Sequence, residues 1–258
     1  MNSYLGSGAG FPAGTLINTD KGLIKIHEIK LGDMVLSRSE WGGKDAPTEY
    51  RRVSRTFCSG EKLIYRLVYV DNDEFEKYEY ASGKKLKVNV LFASEEYLVW
   101  NETEKDWMPT FALKIGHYVE LSSFDSNKAY TVLSVYPVLK VDNYHIKSNK
   151  EALIDLSHIG FCYGNKNAAN DMIIFKTKNE IQAYTIPDWN SEYNFEYSYT
   201  EIPKQDIDYL DTLDVTTNGI LSTNVYNLEV EDFHTYFIGE DGIWVHDCNV
   251  DSLCLIDL

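Results

Sequence analysis

Six histidines and four cysteines are the side chains of this chain best suited to proton transfer and nucleophilic attack. The cysteines are Cys58, Cys162, Cys248 and Cys254. None are spaced as CxxC, so no zinc site is expected, and no other metal or cofactor is implied. Cys58 and Cys162 read as reduced or buried thiols. Cys248 differs in its neighbours. His246, Asp247 and Cys248 place an imidazole, a carboxylate and a thiol in succession, with His234 shortly upstream. An imidazole titrates near neutrality and carries protons; a carboxylate or thiolate attacks carbonyls. The acidic run over residues 201–214 reads as a solvated face rather than a metal site.

The elements that must position these residues read mainly as strands. Aromatics make up 14% of the chain, 19 of them Tyr, and Val, Ile and Thr recur while long helical periodicity is scarce. Apolar runs at Thr15–Ile17 and Leu23–Ile26 flank Asp20–Lys21–Gly22, a hairpin signal. Gly32–Asp33 marks a turn before a strand at Met34–Leu36, and residues 38–50 read as loop. Strands resume at Arg52–Phe57 and Lys62–Val70, are broken by an acidic patch at residues 71–76, and return at Lys84–Val90 and Glu96–Trp100. The step Leu113–Lys114–Ile115–Gly116 echoes Ile29–Lys30–Leu31–Gly32, which suggests an internal duplication. Residues 122–218 are the least organised, with strand-like pieces at Thr131–Val135, Met172–Lys176 and Ile181–Ile186. Residues 150–159 and 201–214 are the candidates for short helices. Val225–Val245 is strand-like again.

With 258 residues and 44% hydrophobic content, the chain suffices for one sizeable core, or a core plus an inserted lobe. Its net charge of -16 and pI near 4.7 repel phosphate, so no nucleic-acid partner is expected. No window has the length of a membrane span, and the opening residues lack a targeting pattern, so no membrane partner is expected.

Three blocks carry a family resemblance. The first is Gly10–Phe11–Pro12–Ala13–Gly14–Thr15 with Ile29–Lys30–Leu31–Gly32–Asp33. The second is Ser94–Glu95–Glu96–Tyr97–Leu98–Val99–Trp100 with Trp107 and Leu113–Lys114–Ile115–Gly116. The third is Val225–Tyr226–Asn227–Leu228, Glu231–Asp232–Phe233–His234–Thr235–Tyr236–Phe237 and Val245–His246–Asp247–Cys248. In order and spacing they resemble the Hint (hedgehog/intein) superfamily, most nearly the pretoxin Hint domain of bacterial polymorphic toxins. The resemblance implies a mainly β, horseshoe-like fold with pseudo-two-fold symmetry and both ends at one site. It places the domain at residues 10–247, with an insertion at about 122–218 and flanks at 1–9 and 248–258. It also implies covalently linked upstream and downstream domains as partners. Localisation stays open between cytoplasmic and secreted, as part of a larger toxin-like protein.

The family's autoprocessing, which in inteins is protein splicing, begins with a Cys attacking the preceding carbonyl, helped by a Thr-x-x-His element. It ends with a terminal Asn cyclising to break the next peptide bond, helped by histidines. Here Gly10 stands at the Cys position, and Ser94 and Tyr97 at the Thr and His positions. A register shifted by one would place Ala93 and Glu96 there instead. The resemblance thus implies a degenerate active site with no N-terminal thioester chemistry. At the other end His234 and His246 are kept, while Asp247 replaces the Asn and precedes Cys248. An Asp carboxylate can attack its own carbonyl to give an anhydride, so slow Asp247–Cys248 cleavage is the expected activity: at most single-turnover autoproteolysis. Two alternatives stand beside it. One is an inactive Hint-fold scaffold. The other is a nuclease-like enzyme inserted in the middle region, where Ala152–Gly160 superficially resembles an apolar-helix motif; the acidic charge opposes that reading.

Overall fold

The computed structural model describes residues 8–43, 45–77, 89–113, 120–122, 124–125, 128–141, 145–147, 153–155, 159–162, 172–176, 181–185 and 219–247. The chain begins with β1 (Phe11–Pro12), β2 (Leu16–Thr19), β3 (Gly22–Lys25), β4 (Met34–Arg38) and β5 (Thr48–Asp71). After the short helix α1 (Asn72–Glu76) come β6 (Asn89–Ser94), β7 (Leu98–Asn101), β8 (Asp106–Pro109), β9 (Glu120–Ser122) and β10 (Ala129–Pro137). The middle region carries β11 (Leu139–Val141), β12 (His145–Lys147), β13 (Leu153–Asp155), β14 (Ile159–Cys162), β15 (Met172–Lys176) and β16 (Ile181–Thr185). Last are β17 (Ser222–Val230), β18 (Thr235–Ile238) and β19 (Ile243–His246). The mainly β expectation is met.

Two compact units result, one of residues 1–135 and 224–258, the other of residues 136–223. The first holds a curled antiparallel sheet with thirteen strands in the order β1-β17-β5-β10-β9-β7-β19-β18-β2-β3; β4 pairs with β2 and β5, β6 with β5, and β8 with β7. In the second, β11-β14-β15-β16 form one small sheet and β12-β13 another.

Local chemistry explains the first hairpin. Thr19 Oγ1 donates to the Gly22 carbonyl at 2.6 Å and accepts from the Lys21 N–H at 3.1 Å. Gly22 takes a φ of +97°, where a side chain would be strained. The 3-10 turn Ile26–Glu28 follows, closed by the Ile26 N–H on the Thr15 carbonyl at 2.7 Å.

The same plan recurs. Hairpin β7–β8 leads into the 3-10 turn Thr110–Ala112, closed by the Thr110 N–H on the Tyr97 carbonyl at 2.8 Å. Then β9 and β10 follow as β4 and β5 do. Thr19 pairs with Val35 in the first copy, and Asn101 with Leu121 in the second. Hairpin β18–β19 lies between the copies, with Ile238 opposite Ile17 and Val245 opposite Val99. This is the pseudo-two-fold relation the repeated apolar–Lys–apolar–Gly step suggests. Ile29 and Leu113 occupy matching places after the two turns, while Lys114–Gly116 lie outside the described residues.

Several expectations need correction. Arg52–Phe57 and Lys62–Val70 are one continuous strand, because β5 is hydrogen-bonded along its length to β4, β6, β10 and β17 in turn. The acidic patch is a helical turn, α1, whose first N–H groups at Asp73 and Glu74 bond the Asp71 side chain. Within 150–159, Leu153–Asp155 is a strand paired with β12, since a lone short helix is marginal without packing. Residues 201–214 lie outside the described residues. Of the two readings of Cys58, reduced or buried, the structure has the first, since Cys58 is a free and exposed thiol. Phe11, Ile17, Val35, Tyr97, Tyr236 and Val245 lie in the core of the first unit, each fully buried.

Candidate functional site

Pairing of β1 with β17 and closure of β6 beside them bring the start of the domain against its end. The peptide bond between Ala9 and Gly10 is gripped from both sides. Its N–H donates to Ser94 Oγ at 2.9 Å, and its carbonyl accepts from Asn227 Nδ2 at 3.3 Å. The Ser94 N–H in turn donates to the Gly10 carbonyl at 2.9 Å. Both grips favour the planar, resonance-stabilised amide, since neither supplies a proton to the nitrogen. The structure thus places Ser94, not Ala93, against Gly10.

Gly10 has no room for a side chain. A Cβ there would stand 2.4 Å from the Tyr226 carbonyl oxygen and 2.9 Å from its carbon, which the β1–β17 register Phe11↔Tyr226 holds in place. A side chain at this position, a thiol included, would enter only if the backbone shifted.

Tyr97 is fully buried, with its ring 4.1 Å from Phe11. Its hydroxyl lies 2.5 Å from the His246 carbonyl and 2.8 Å from the Tyr236 hydroxyl. Tyr236 donates to Asn227 Oδ1 at 2.8 Å, and the Leu228 N–H bonds the same oxygen at 2.8 Å. Two donors on Oδ1 turn the Asn227 amide so that Nδ2 faces Ala9. A line of close polar contacts runs from the Ala9 carbonyl through Asn227, Tyr236 and Tyr97 to the His246 carbonyl, with the single Tyr97 hydroxyl hydrogen serving either Tyr236 or that carbonyl.

The next residue is Asp247, fully buried. Its N–H donates to the His234 carbonyl at 2.8 Å. Oδ2 accepts from the Val230 N–H at 2.8 Å and stands 3.4 Å from His234 Nδ1, a distance better described as an ion pair than a good hydrogen bond. Oδ1 is buried and has no hydrogen-bond partner among the described residues; His246 Nδ1 is 3.8 Å away. Burial raises the Asp247 carboxyl above the ordinary carboxylate range, against the opposing pull of His234, the Val230 N–H and His246. His234 is raised above the ordinary imidazole range, first by its contact with Asp247 and further by the charges of Asp247, Glu40 and Glu229, with burial opposing. His234 sits in a tight turn between β17 and β18, at φ 54° after Asp232 at φ 67°. Arg51 braces that turn, its guanidinium 4.0 Å from the Phe233 ring centre and 3.4 Å from Asp232.

His246 Nδ1 is 2.9 Å from the Asp247 carbonyl, the acyl group of the Asp247–Cys248 bond. Nε2 is 2.9 Å from Glu40 Oε2. Trp107 walls the ring edge-on at 5.0 Å, backed by Trp100 and Trp244. Of the residues singled out in the sequence, Gly10, Ser94, Tyr97, His234, His246 and Asp247 all lie along this network. Cys248 lies outside the described residues. His27 takes a local part, its Nδ1 accepting from the Gly14 N–H at 3.1 Å.

Asn227, Tyr236 and Glu40 are members that sequence reasoning did not assign. Asn227 and Tyr236 stand inside the third block, where a polar residue in a strand meant for burial was the available signal. Glu40 lies in the 3-10 turn Glu40–Gly42 of a region that reads as plain loop, and no sequence feature marks it.

No protein-family model matches the chain, and no curated protein does. It is similar in structure to a bacterial intein-like domain from Clostridium thermocellum, at 16% identity over 93% of this chain and 100% of that one, with a TM-score of 0.46. A DnaB intein from Synechocystis is 12% identical over 93% of this chain and 98% of its own, with a TM-score of 0.41. A DnaX mini intein from Spirulina platensis is 12% identical over 92% and 99%, with a TM-score of 0.42. At these identities and TM-scores the likeness assigns no residue a role.

Proposed function

We propose that this chain is a Hint-type self-processing domain whose N-terminal reaction is closed and whose surviving reaction centre is the Asp247–Cys248 bond. The observation that carries this reading is the pair of contacts on Asp247: His246 Nδ1 on its main-chain carbonyl and His234 beside its carboxylate. Polarising the acyl group and orienting the nucleophile are two of the tasks that intramolecular cleavage requires, the third being a proton for the leaving nitrogen.

In this reading the Asp247 carboxylate attacks its own carbonyl carbon through Oδ1. A five-membered ring forms, and His246 Nδ1–H stabilises the negative charge on the former carbonyl oxygen. The bond to the Cys248 nitrogen then breaks, its electron pair going to nitrogen with a proton from the imidazolium. Water opens the resulting anhydride and returns a free carboxylate at Asp247. With Asn in place of Asp247, the side-chain nitrogen attacks instead and closes a succinimide. Cleavage would release the chain that follows Cys248; an effector joined there, as in a polymorphic toxin, is part of the proposal.

A second reading, an inactive scaffold, is favoured by the grip on Oδ2, which holds the carboxylate in place through Val230 and His234. An intact-mass time course separates the two readings, on a chain carrying a reporter domain after Leu258. Release of the reporter with Asp247 at the new C-terminus supports cleavage, and an intact chain supports the scaffold.

A further inference from the structure

His246 faces an acceptor on each side. Nδ1 is 2.9 Å from the Asp247 carbonyl, and Nε2 is 2.9 Å from Glu40 Oε2. Both side chains are largely withdrawn from water, at 17% and 14% exposure, so bulk solvent does not readily replace either contact. A cationic ring has an N–H for each acceptor. A neutral ring has only one.

We infer that Glu40 decides which nitrogen of His246 keeps its proton, so that the Asp247 carbonyl has a donor only while the ring is cationic. The inference rests on the reading of Asp247–Cys248 as the reaction centre for its consequence, though not for its geometry. A carboxylate is the stronger acceptor, its hydrogen bonds roughly twice as strong as those between neutral groups. The neutral ring therefore keeps its proton on Nε2, toward Glu40. Nδ1 then turns a lone pair on the carbonyl oxygen, which loses its polarisation. Glu40 is a positioning residue here: it touches no reacting atom and acts through the ring.

Other groups around the ring do not reverse this preference. Asp247 Oδ1, 3.8 Å from Nδ1, favours a proton on that side but is beyond hydrogen-bond distance. His234 lies across the same carboxylate, 3.4 Å from Oδ2. The Tyr97 hydroxyl engages the main-chain carbonyl of His246, not its ring. Trp107 offers the ring an uncharged wall.

Replacing Glu40 by Gln inverts the arrangement. The amide can donate to Nε2, which leaves the neutral ring its proton on Nδ1, facing the carbonyl. Nitrogen NMR of the histidine rings in the full chain reads this directly at about pH 9, well above the ordinary imidazole range. The parent should show the Nε2–H form of His246, and Glu40→Gln the Nδ1–H form. Glu40→Ala, which removes the acceptor without adding a donor, should shift the ring the same way, and Glu40→Asp should shift it back. A second readout is cleavage of the extended Asp247→Asn chain. At alkaline pH, adding Glu40→Gln should raise the rate about tenfold, a conservative share of what one oxyanion donor contributes. The same ring form in the parent and both Glu40→Gln and Glu40→Ala overturns the inference. So does an unchanged alkaline rate where cleavage is measurable. If the ring form changes but no variant cleaves, Glu40's control of the proton stands and the cleavage reading fails instead.

Discussion

Adding a single carbon at Gly10 should destabilise the domain. The Cβ would lie 2.4 Å from the Tyr226 carbonyl oxygen, whereas carbon contacts in a packed interior settle near 3.5 Å or beyond. Relief requires β1 to move about 1 Å away from β17. That motion is opposed by the Phe11↔Tyr226 register and by Phe11 itself, fully buried against Tyr97. Forcing extra atoms into a filled site costs about 1–3 kcal/mol. At roughly 2–4 °C per kcal/mol for a domain of this size, the melting temperature falls by about 2–12 °C. Because the Cβ alone causes the clash, Gly10→Ala and Gly10→Cys should fall by similar amounts, read by near-ultraviolet circular dichroism during heating. With residues added before Ala9, Gly10→Cys should also give no thiol-dependent cleavage. Melting of both variants within about 1 °C of the parent, or thiol-dependent release upstream, would refute the reasoning.

Tyr97→Phe keeps the ring against Phe11 but strips the hydroxyl from the His246 carbonyl and Tyr236, so it should cost about 1–3 kcal/mol in chemical denaturation. The Asp247 and His234 contributions to stability should fall as pH rises from acid through neutrality, while that of Asp33, lowered by the Lys30 N–H and by Lys21, runs the other way. Asp247 is raised in the folded state, so its protonated form is favoured there, and that contribution is lost as pH climbs through the raised carboxyl range. His234 is also raised, so its contribution is full below the ordinary imidazole range and is lost as pH passes its raised folded value. Melting curves against pH should show both steps, with Asp247→Asn removing the lower and weakening the upper. In the extended Asp247→Asn chain, His234→Ala should slow succinimide formation strongly, as measured by intact mass.

Local turn chemistry made much of the fold legible. The Asp20–Lys21–Gly22 turn and the Gly32–Asp33 turn both depend on residues adjacent in sequence. The continuity of β5 was not legible, because Cys58–Glu61 has no apolar pattern. Its backbone is held by partner strands distant in the chain, and that pairing leaves no trace in composition. The same division runs through the site. His234, His246 and Asp247 stand out by their chemistry and their place in a block. Glu40 meets His246 across a separation of 206 residues, and Asn227 meets Ala9 across 218. Such contacts exist only once the sheet has curled. The exclusion of a side chain at Gly10 is likewise invisible in sequence, since it depends on where the backbone of Tyr226 passes.

The most direct test of the proposed reaction is a paired intact-mass time course on the chain with a reporter domain after Leu258, as Asp247 and as Asp247→Asn. Carboxylate attack needs ionised Asp247, while polarisation and amine protonation need cationic histidine. On ordinary values both hold between about pH 4 and 6.5. Burial raises the Asp247 carboxyl and so moves the lower edge of that window upward. The account predicts slow release from the parent, with an optimum inside the shifted window and Asp247 as the new C-terminal residue. Release should be faster from Asp247→Asn. Both chains remaining intact for days at every pH across and beyond the window would contradict it and leave the domain a scaffold.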